Sequence, residues 1–139
     1  MDVFMVTTLG VFAGIDWKWK KVPACLCIGF ILFAAAGVCM GNYADRMSAF
    51  FGAFLGVFLF ALSFLTRGAI GPADGAVFVA TGILLGFWKN MILLTTGLVF
   101  HLIFTAVLLG IGRIRGKEFS WKKEIPFLPF VFLAYLQMQ

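Results

Sequence analysis

Long apolar runs follow one another along the chain, and each is ended by a charged residue or a short basic cluster. A helix needs roughly 20 apolar residues to cross a hydrocarbon core about 30 Å thick. The charges leave six uncharged runs that reach or approach this length, at 3–15, 22–44, 47–66, 75–88, 90–112 and 125–139. The pattern therefore predicts six transmembrane helices, with short connections that make consecutive helices close to antiparallel neighbours.

The composition narrows the class of protein further. Of the 139 residues, 63% are hydrophobic and only 12% are charged, about half the charged fraction of ~25% that is usual in soluble domains. This excludes a small soluble enzyme, which has too much surface to cover with so few charges, and also a disordered tail. We predict an all-α polytopic membrane protein in which residues 1–139 form a single membrane-embedded domain, with no nucleic-acid partner.

The basic residues are distributed unevenly between the two predicted sides of the membrane. Only Arg46 and Lys89 fall on one side. The other side holds nine, in the connections after the first, third and fifth runs: Lys18, Lys20, Lys21, Arg67, Arg113, Arg115, Lys117, Lys122 and Lys123. Connections rich in Lys and Arg stay in the cytoplasm, so we predict a multi-pass protein of the cytoplasmic (inner) membrane with both termini outside. The first run is interpreted as a retained helix and not as a signal peptide, because it is preceded by Asp2 and by no basic residue.

Two acidic residues border runs that are short for a transmembrane helix. Asp16 follows the first run and Asp74 precedes the fourth, both on the predicted cytoplasmic side. If the first helix continues toward Lys20 and the fourth begins near Ala69, each carboxylate lies inside the end of a helix. Two neighbouring carboxylates in a low dielectric share a proton, and such a pair can activate water and polarise a scissile carbonyl. Two other interpretations stay open: the residues cap helix ends or pair with nearby Lys and Arg, or they line a proton or ion pathway.

Three short segments carry a more specific signal. Residues 16–23 read DWKWKKVP, residues 71–74 read GPAD and residues 125–130 read IPFLPF. In this order and on these predicted helices they resemble three motifs of the type IV prepilin peptidases, including the GxGD motif, in which Ala73 replaces the second glycine. The residues that carry the resemblance, together with Gly75 directly after the second segment, are Asp16, Pro23, Gly71, Ala73, Asp74, Gly75, Pro126 and Pro129.

The resemblance implies a membrane aspartic endopeptidase of the GxGD type, which removes the leader peptide of prepilins and pseudopilins at the cytoplasmic face. Asp16 and Asp74 would be the catalytic pair, with no need for a metal ion or an organic cofactor. The substrate would have a basic leader and a hydrophobic helix that enters laterally from the bilayer. Longer relatives also carry an N-terminal cytoplasmic domain associated with N-methylation. This chain resembles a short form without that domain, so we expect peptidase activity and no methyltransferase activity.

Two functions of other classes remain as alternatives. A small transporter or proton-relay protein would use the same pair of Asp residues to move protons. A catalytically silent pilus-assembly protein would keep the fold without the chemistry.

Other residues within the runs have simpler interpretations. We expect small-hydrophobe behaviour, and not a zinc site, from Cys25, Cys27 and Cys39. We expect His101 to form an interhelical hydrogen bond rather than a proton relay. An aromatic belt at the membrane interfaces is predicted at Trp17, Trp19, Trp88 and Trp121.

Glycine pairs four residues apart recur inside the runs, at 10 and 14, 37 and 41, 52 and 56, and 82 and 86. Such pairs allow helices to approach closely, and we expect them to pack helices within the chain. Gly71 and Gly75 have the same spacing but flank Asp74. There we expect an irregular helix start that gives a substrate backbone access.

Overall fold

The computed structural model describes residues 2–19, 22–41, 44–66, 71–114 and 126–138. Over these residues the chain is helical and has no strand. The helices are α1 (Asp2–Trp19), α2 (Ala24–Cys39), α3 (Arg46–Leu65), α4 (Pro72–Leu85), α5 (Phe87–Ile114) and α6 (Leu128–Gln137). The predicted all-α class and the six helices are confirmed for this part of the chain. Outside it lie several residues named above, namely Lys20, Lys21, Arg67, Ala69, Arg115, Lys117, Trp121, Lys122 and Lys123.

Glycine, and not charge, ends two of the helices. Gly41 follows α2 with φ +75°, and Gly86 separates α4 from α5 with φ +78°, in the left-handed region that favours glycine. As a result α2 ends at Cys39 instead of near Ala44, and Trp88 belongs to α5 instead of α4. The boundaries that the charges predicted are therefore wrong at these two places. Gly41 ends a helix and makes no close contact with the described residues, whereas Gly86 both ends a helix and lies close to Ser48 of α3.

The helices form two compact units, and the first comprises Met1–Lys20 and Thr95–Gln139. In this unit α1 packs against α6. Met5, Leu9 and Phe12 are almost completely buried. Their spacing of three or four residues places them on one face of α1, so the first unit is held together by bulky apolar side chains.

The second unit comprises Lys21–Leu94 and contains α2, α3, α4 and the first turns of α5. In it α4 packs against both α2 and α3. Side chains such as Val77, Phe78, Ala80 and Leu84 are buried around α4, and a helix that is buried on every side is the centre of its unit. The position of α4 therefore determines where Asp74, on the same helix, lies.

The helices α3 and α4 approach each other backbone to backbone. A Cβ added to Gly52 would lie 2.8 Å from the carbonyl carbon of Gly82, and one added to Gly56 would lie 2.5 Å from that of Phe78. Neither distance is compatible with a real side chain. These glycines pack helices within the chain, as predicted, and the pairing of early residues in α3 with late residues in α4 shows that the two helices are antiparallel.

A buried polar network joins α3, α4 and α5 at one end of the second unit. The Asn90 side chain is fully buried; it accepts a hydrogen bond from Thr81 Oγ1 at 2.8 Å. Its Nδ2 donates to the carbonyls of Gly52 and Phe78 at 3.2 and 3.1 Å. Buried polar groups that are fully satisfied in this way fix one arrangement of the surrounding helices.

Two of the described helices are long and apolar enough to cross a membrane, Arg46–Leu65 and Phe87–Gly112. Only 22% and 11% of their most apolar stretches are buried, unlike the core helix of a soluble protein. An apolar surface of this size normally faces lipid or a partner. The two helices thus indicate a membrane protein, while a crossing by each of the six helices stays a prediction.

Candidate active site

Asp16 lies in the last turn of α1, which continues to Trp19 as one sequence-based expectation required. It follows Phe12 by one helical turn, and residues four positions apart share a face of a helix. The side chain is half-buried. Asp16 therefore extends the buried face of α1 as a polar group at its end.

The Asp16 carboxylate accepts a hydrogen bond from the start of α6. The Leu128 N–H donates to Asp16 Oδ2 at 3.3 Å, although the two residues are 112 positions apart. Leu128 is the first residue of α6, and the first N–H groups of a helix have no partner within that helix. A carboxylate at this point also meets the positive end of the helix dipole. Asp16 thus caps α6, which agrees with the capping interpretation left open above.

The other donors in the first turn of α6 are occupied or absent. Pro129, the second helical residue, has no N–H, and proline is well tolerated this early in a helix. The N–H groups of Phe130 and Val131 both donate to the Phe127 carbonyl, at 3.0 and 3.3 Å. Of residues 128–131, Leu128 is thus the one whose N–H is left for an acceptor from another helix.

The hydrogen bond from the Leu128 N–H to Asp16 brings the first and third motifs together. Pro126 lies two residues before α6 and Pro129 within its first turn, next to the contact of Leu128 with Asp16. Sequence reasoning did not single out Leu128, although Pro129 was a usable signal for a helix start there. Pro23 precedes α2 with an extended backbone and belongs to the second unit.

Asp74 lies in the first turn of α4, in the second unit. The helix begins at Pro72, and the Asp74 N–H donates to the Gly71 carbonyl at 3.0 Å. A carboxylate in this turn faces the positive end of its own helix dipole. The condition that the helix begins near Ala69 is not met, because α4 begins at Pro72 and proline is favoured at the first helical position. Asp74 therefore lies within the first turn and not one turn further inside.

Gly71 makes room for the Asp74 carboxylate. A Cβ added to Gly71 would lie 3.0 Å from Asp74 Oδ2. The backbone of Gly71 is extended, with φ −64° and ψ 131°, which any residue can adopt. A side chain at position 71 would therefore press on the Asp74 carboxylate in its present position, while the backbone itself does not require glycine. Ala73, half-buried within the first turn, occupies the other small-residue position of the motif.

Gly75 brings α4 against α3 directly beside Asp74. A Cβ added to Gly75 would lie 2.7 Å from both the Cα and the N of Phe60. Gly75 is part of the regular helix α4, so the expectation of an irregular helix start is wrong for this glycine. Its contact with Phe60, which sequence reasoning did not single out, fixes the level of Asp74 along α3.

The carboxyl group of Asp74 also interacts electrostatically with the thiol of Cys27 on α2. Cys27 is buried, as expected for a small hydrophobe, whereas Cys25 and Cys39 are exposed, and all three are free thiols. Among the described residues, no group of three His, Cys, Asp or Glu side chains is arranged to hold a metal ion. The Cys27 thiol is thus one group of α2 that lies near Asp74.

His101 lies in the part of α5 that belongs to the first unit. Its ring is edge-on to those of Phe127 and Phe130, with 5.7 and 5.2 Å between ring centroids. Its buried Nδ1 has no hydrogen-bond partner within the described residues. The expected interhelical hydrogen bond is therefore not made by Nδ1 within the described residues. The His101 ring instead contacts α6 through the aromatic rings at its start.

Neither a curated protein nor a solved structure matches the chain. A model of the type IV leader peptidase family matches residues 3–112. The matched part contains Asp16, Pro23 and the segment 71–75, and it ends before the third motif at 125–130. Because the match extends over more than half of its length, the chain belongs to the type IV leader peptidase family, a family of proteases.

Proposed function

We propose that this protein is a membrane aspartic endopeptidase that removes the leader peptide of prepilin-like proteins at the cytoplasmic face of the membrane. Asp16 and Asp74 form its catalytic pair, and residues 1–139 form one membrane-embedded peptidase domain. Membership of the family supports leader-peptide proteolysis. The catalytic type and the two residues are supported by the small number of carboxylates available.

This scarcity of carboxylates is the observation that carries the proposal. The acidic residues within the matched range 3–112 are Asp16, Asp45 and Asp74. Asp45 is exposed just before the start of α3, whereas Asp74 lies at the level of Phe60, much further along the same helix. Roughly 15 residues of helix span about 22 Å, so Asp45 is too far from Asp74 to share a proton with it. Asp16 is therefore the partner we assign to Asp74.

The surroundings of the two residues suit this role. Each carboxylate lies at the N-terminus of a helix, Asp16 at that of α6 and Asp74 at that of α4, where a negative charge is stabilised. Each is also half-buried. Two ionised carboxylates close together in half-buried positions would repel each other. A pair that holds one proton between two carboxylates satisfies both conditions.

The reaction follows from such a pair. The ionised Asp takes a proton from a water molecule, whose oxygen attacks the scissile carbonyl carbon. The protonated Asp gives its proton to the carbonyl oxygen, so that a neutral diol forms. Collapse of the diol transfers a proton to the amide nitrogen and breaks the C–N bond, leaving a carboxyl group on the leader and an amine on the mature protein. The proton belongs to the pair, so neither residue is assigned a fixed role.

The end of α1 supports a site at the membrane surface. Trp17 and Trp19 are each 62% exposed, directly after Asp16. Lys18 Nζ lies 5.3 Å from the centroid of the Trp19 ring. Exposed Trp and Lys side chains of this kind are typical of the headgroup region. A substrate with a basic leader and a hydrophobic helix would enter from the bilayer with its scissile bond near this level.

Leader cleavage in cells tests the proposal. The protein is co-expressed with a candidate prepilin, and wild type is compared with Asp16→Asn, Asp74→Asn and the matched control Asp45→Asn. We expect both catalytic variants to lose at least about a hundredfold in cleavage rate while inserting normally into the membrane. Asp45→Asn should cleave like wild type.

Cleavage that survives in Asp16→Asn or Asp74→Asn would contradict the assignment of the pair. Equal loss in all three variants would show that the effect is not specific to these carboxylates. Potential-dependent proton flux without cleavage would identify the proton-relay alternative. Normal pilus assembly in all variants, again without cleavage, would identify a silent assembly protein.

A further inference from the structure

The contact between Asp16 and α6 carries an inference about how the proposed active site is built. Asp16 lies in the last turn of α1, where the negative end of its own helix dipole disfavours an ionised carboxylate. The N-terminus of α6 opposes this effect with a positive end and a free donor. Among the described residues, the hydrogen bond from Leu128 is made to Oδ2 and Oδ1 has no donor, so that Oδ1 can take a water molecule or a proton.

The start of α6 is itself held in place from α5. The rings of Phe127 and Phe130 enclose His101 edge-on. Gly97 of α5 also faces the start of α6, since a Cβ added there would be in ordinary van der Waals contact with Val131 Cγ2 at 3.5 Å. The donor that reaches Asp16 is therefore fixed by packing that does not involve the carboxylate, as a preorganised group must be.

We propose that the Leu128 backbone N–H is a positioning group for Asp16 in the peptidase reaction, and that the segment 126–130 exists in its present form to present this donor. Pro129 contributes by removing the neighbouring N–H, so that one donor in the correct direction remains. This role rests on the proposed function of Asp16 and goes beyond it, since Leu128 lies outside the residues that match the family. Leu128 does not touch substrate; it acts through Asp16.

Removal of the N–H without change of the side chain is the direct test. In the full-length protein, Leu128 is replaced by the corresponding α-hydroxy acid, which turns its backbone amide into an ester. The matched control is the same replacement at Phe130, whose N–H donates to the Phe127 carbonyl and not to Asp16. Both variants lose one donor from the same helical turn, so a difference between them reports on Asp16.

Leader cleavage by the purified variants is then measured as kcat and KM over a range of pH. For the Leu128 ester we expect kcat to fall about 10- to 100-fold, the range of a lost charge-assisted hydrogen bond, with KM unchanged. The acidic limb of the rate profile should move about one unit toward higher pH. Besides Asp16, the titratable or charged side chains on the elements that meet here are Asp2 and Lys18 on α1, His101 and Arg113 on the part of α5 in the first unit, and Tyr135 on α6. None of them is altered in either ester.

The outcomes separate this proposal from the one on which it depends. A shifted acidic limb and reduced kcat for the Leu128 ester alone support a positioning role. An identical profile for both esters, with cleavage still abolished by Asp16→Asn, would overturn the role of Leu128 and leave the catalytic pair intact. Full cleavage by Asp16→Asn would overturn both.

Discussion

The two compact units place their acidic residues by different means. In the first, Asp16 lies at the end of α1 and is held by Leu128, a donor from a helix 112 positions later in the chain. In the second, Asp74 lies at the start of its own helix, and its neighbour Gly75 brings that helix against Phe60 of α3. Within the described part of the chain, the Asp16 carboxylate is held by a backbone donor from another helix, whereas the helix that carries Asp74 is placed by close contact between two backbones.

This difference determines which changes each unit tolerates. The interface of α1 with α6 has room for an added methyl group, because a Cβ on Gly10 would meet the Phe132 ring at 3.4 Å and one on Gly14 would meet nothing within 4 Å. The interface of α3 with α4 has no such room. The same glycine spacing therefore has a structural role in one unit and little role in the other.

The largest effect is expected from Gly52→Ala. Its Cβ would collide with the backbone of Gly82 and push α3 away from α4, so we expect a loss of about 1–3 kcal/mol in the free energy of unfolding. Unfolding of the purified protein in detergent, followed by circular dichroism, measures this loss. Gly14→Ala in the first unit is the matched control, and it should be neutral or slightly stabilising because alanine favours a helix. Equal destabilisation by the two changes would remove the contrast between the units.

An intermediate effect is expected from Asn90→Ala. The change leaves the Thr81 hydroxyl and the carbonyls of Gly52 and Phe78 without the amide that they contact. Loss of such buried hydrogen bonds costs about 1–2 kcal/mol in the free energy of unfolding. Thr7→Ala, which removes an exposed bond to a carbonyl within the same helix, should change it by less than about 0.5 kcal/mol. A neutral Asn90→Ala would show that the glycine contacts alone hold the second unit together.

The smallest effect is expected from Ser48→Ala. The Ser48 hydroxyl of α3 accepts a hydrogen bond from the N–H of Phe87, the first residue of α5, at 3.1 Å. Loss of a cap of this kind costs about 1 kcal/mol in the free energy of unfolding. Hydrogen exchange of the Phe87 amide should increase while exchange in α1 and α6 stays unchanged. Faster exchange in α6 would mean that the two units do not unfold separately.

Much of the fold was predictable from the pattern of charges and apolar residues. The number and class of the described helices follow from it, because each uncharged run is long enough for several turns. The ends of helices at Gly41 and Gly86 were predicted less well. There a glycine with positive φ ends the helix. The nearby charges Asp45 and Lys89 predicted the wrong boundaries because a charged residue does not by itself end a helix.

The candidate site was predictable only in part. Asp16 and Asp74 stand out because acidic residues are scarce among apolar runs. Leu128 and Phe60 could not be found in the same way, since each contributes its backbone and not its side chain. Backbone contacts between distant segments leave little trace in the residue type, apart from small or N–H-lacking neighbours such as Gly75 and Pro129.

The pairing of Asp16 with Asp74 is tested most directly by a disulfide between them. Both residues are changed to Cys in a chain whose three native cysteines are replaced, and cross-linking is measured in native membranes by mass spectrometry. Asp16→Cys with Leu128→Cys serves as the positive control and Asp74→Cys with Met40→Cys, at the far end of α2, as the negative control. A disulfide needs Cα atoms within about 7 Å, and two carboxylates that share a proton must be close neighbours. We therefore predict that the Asp16→Cys and Asp74→Cys pair cross-links readily. No cross-link in this pair, with an efficient one in the positive control, would contradict a shared catalytic pair.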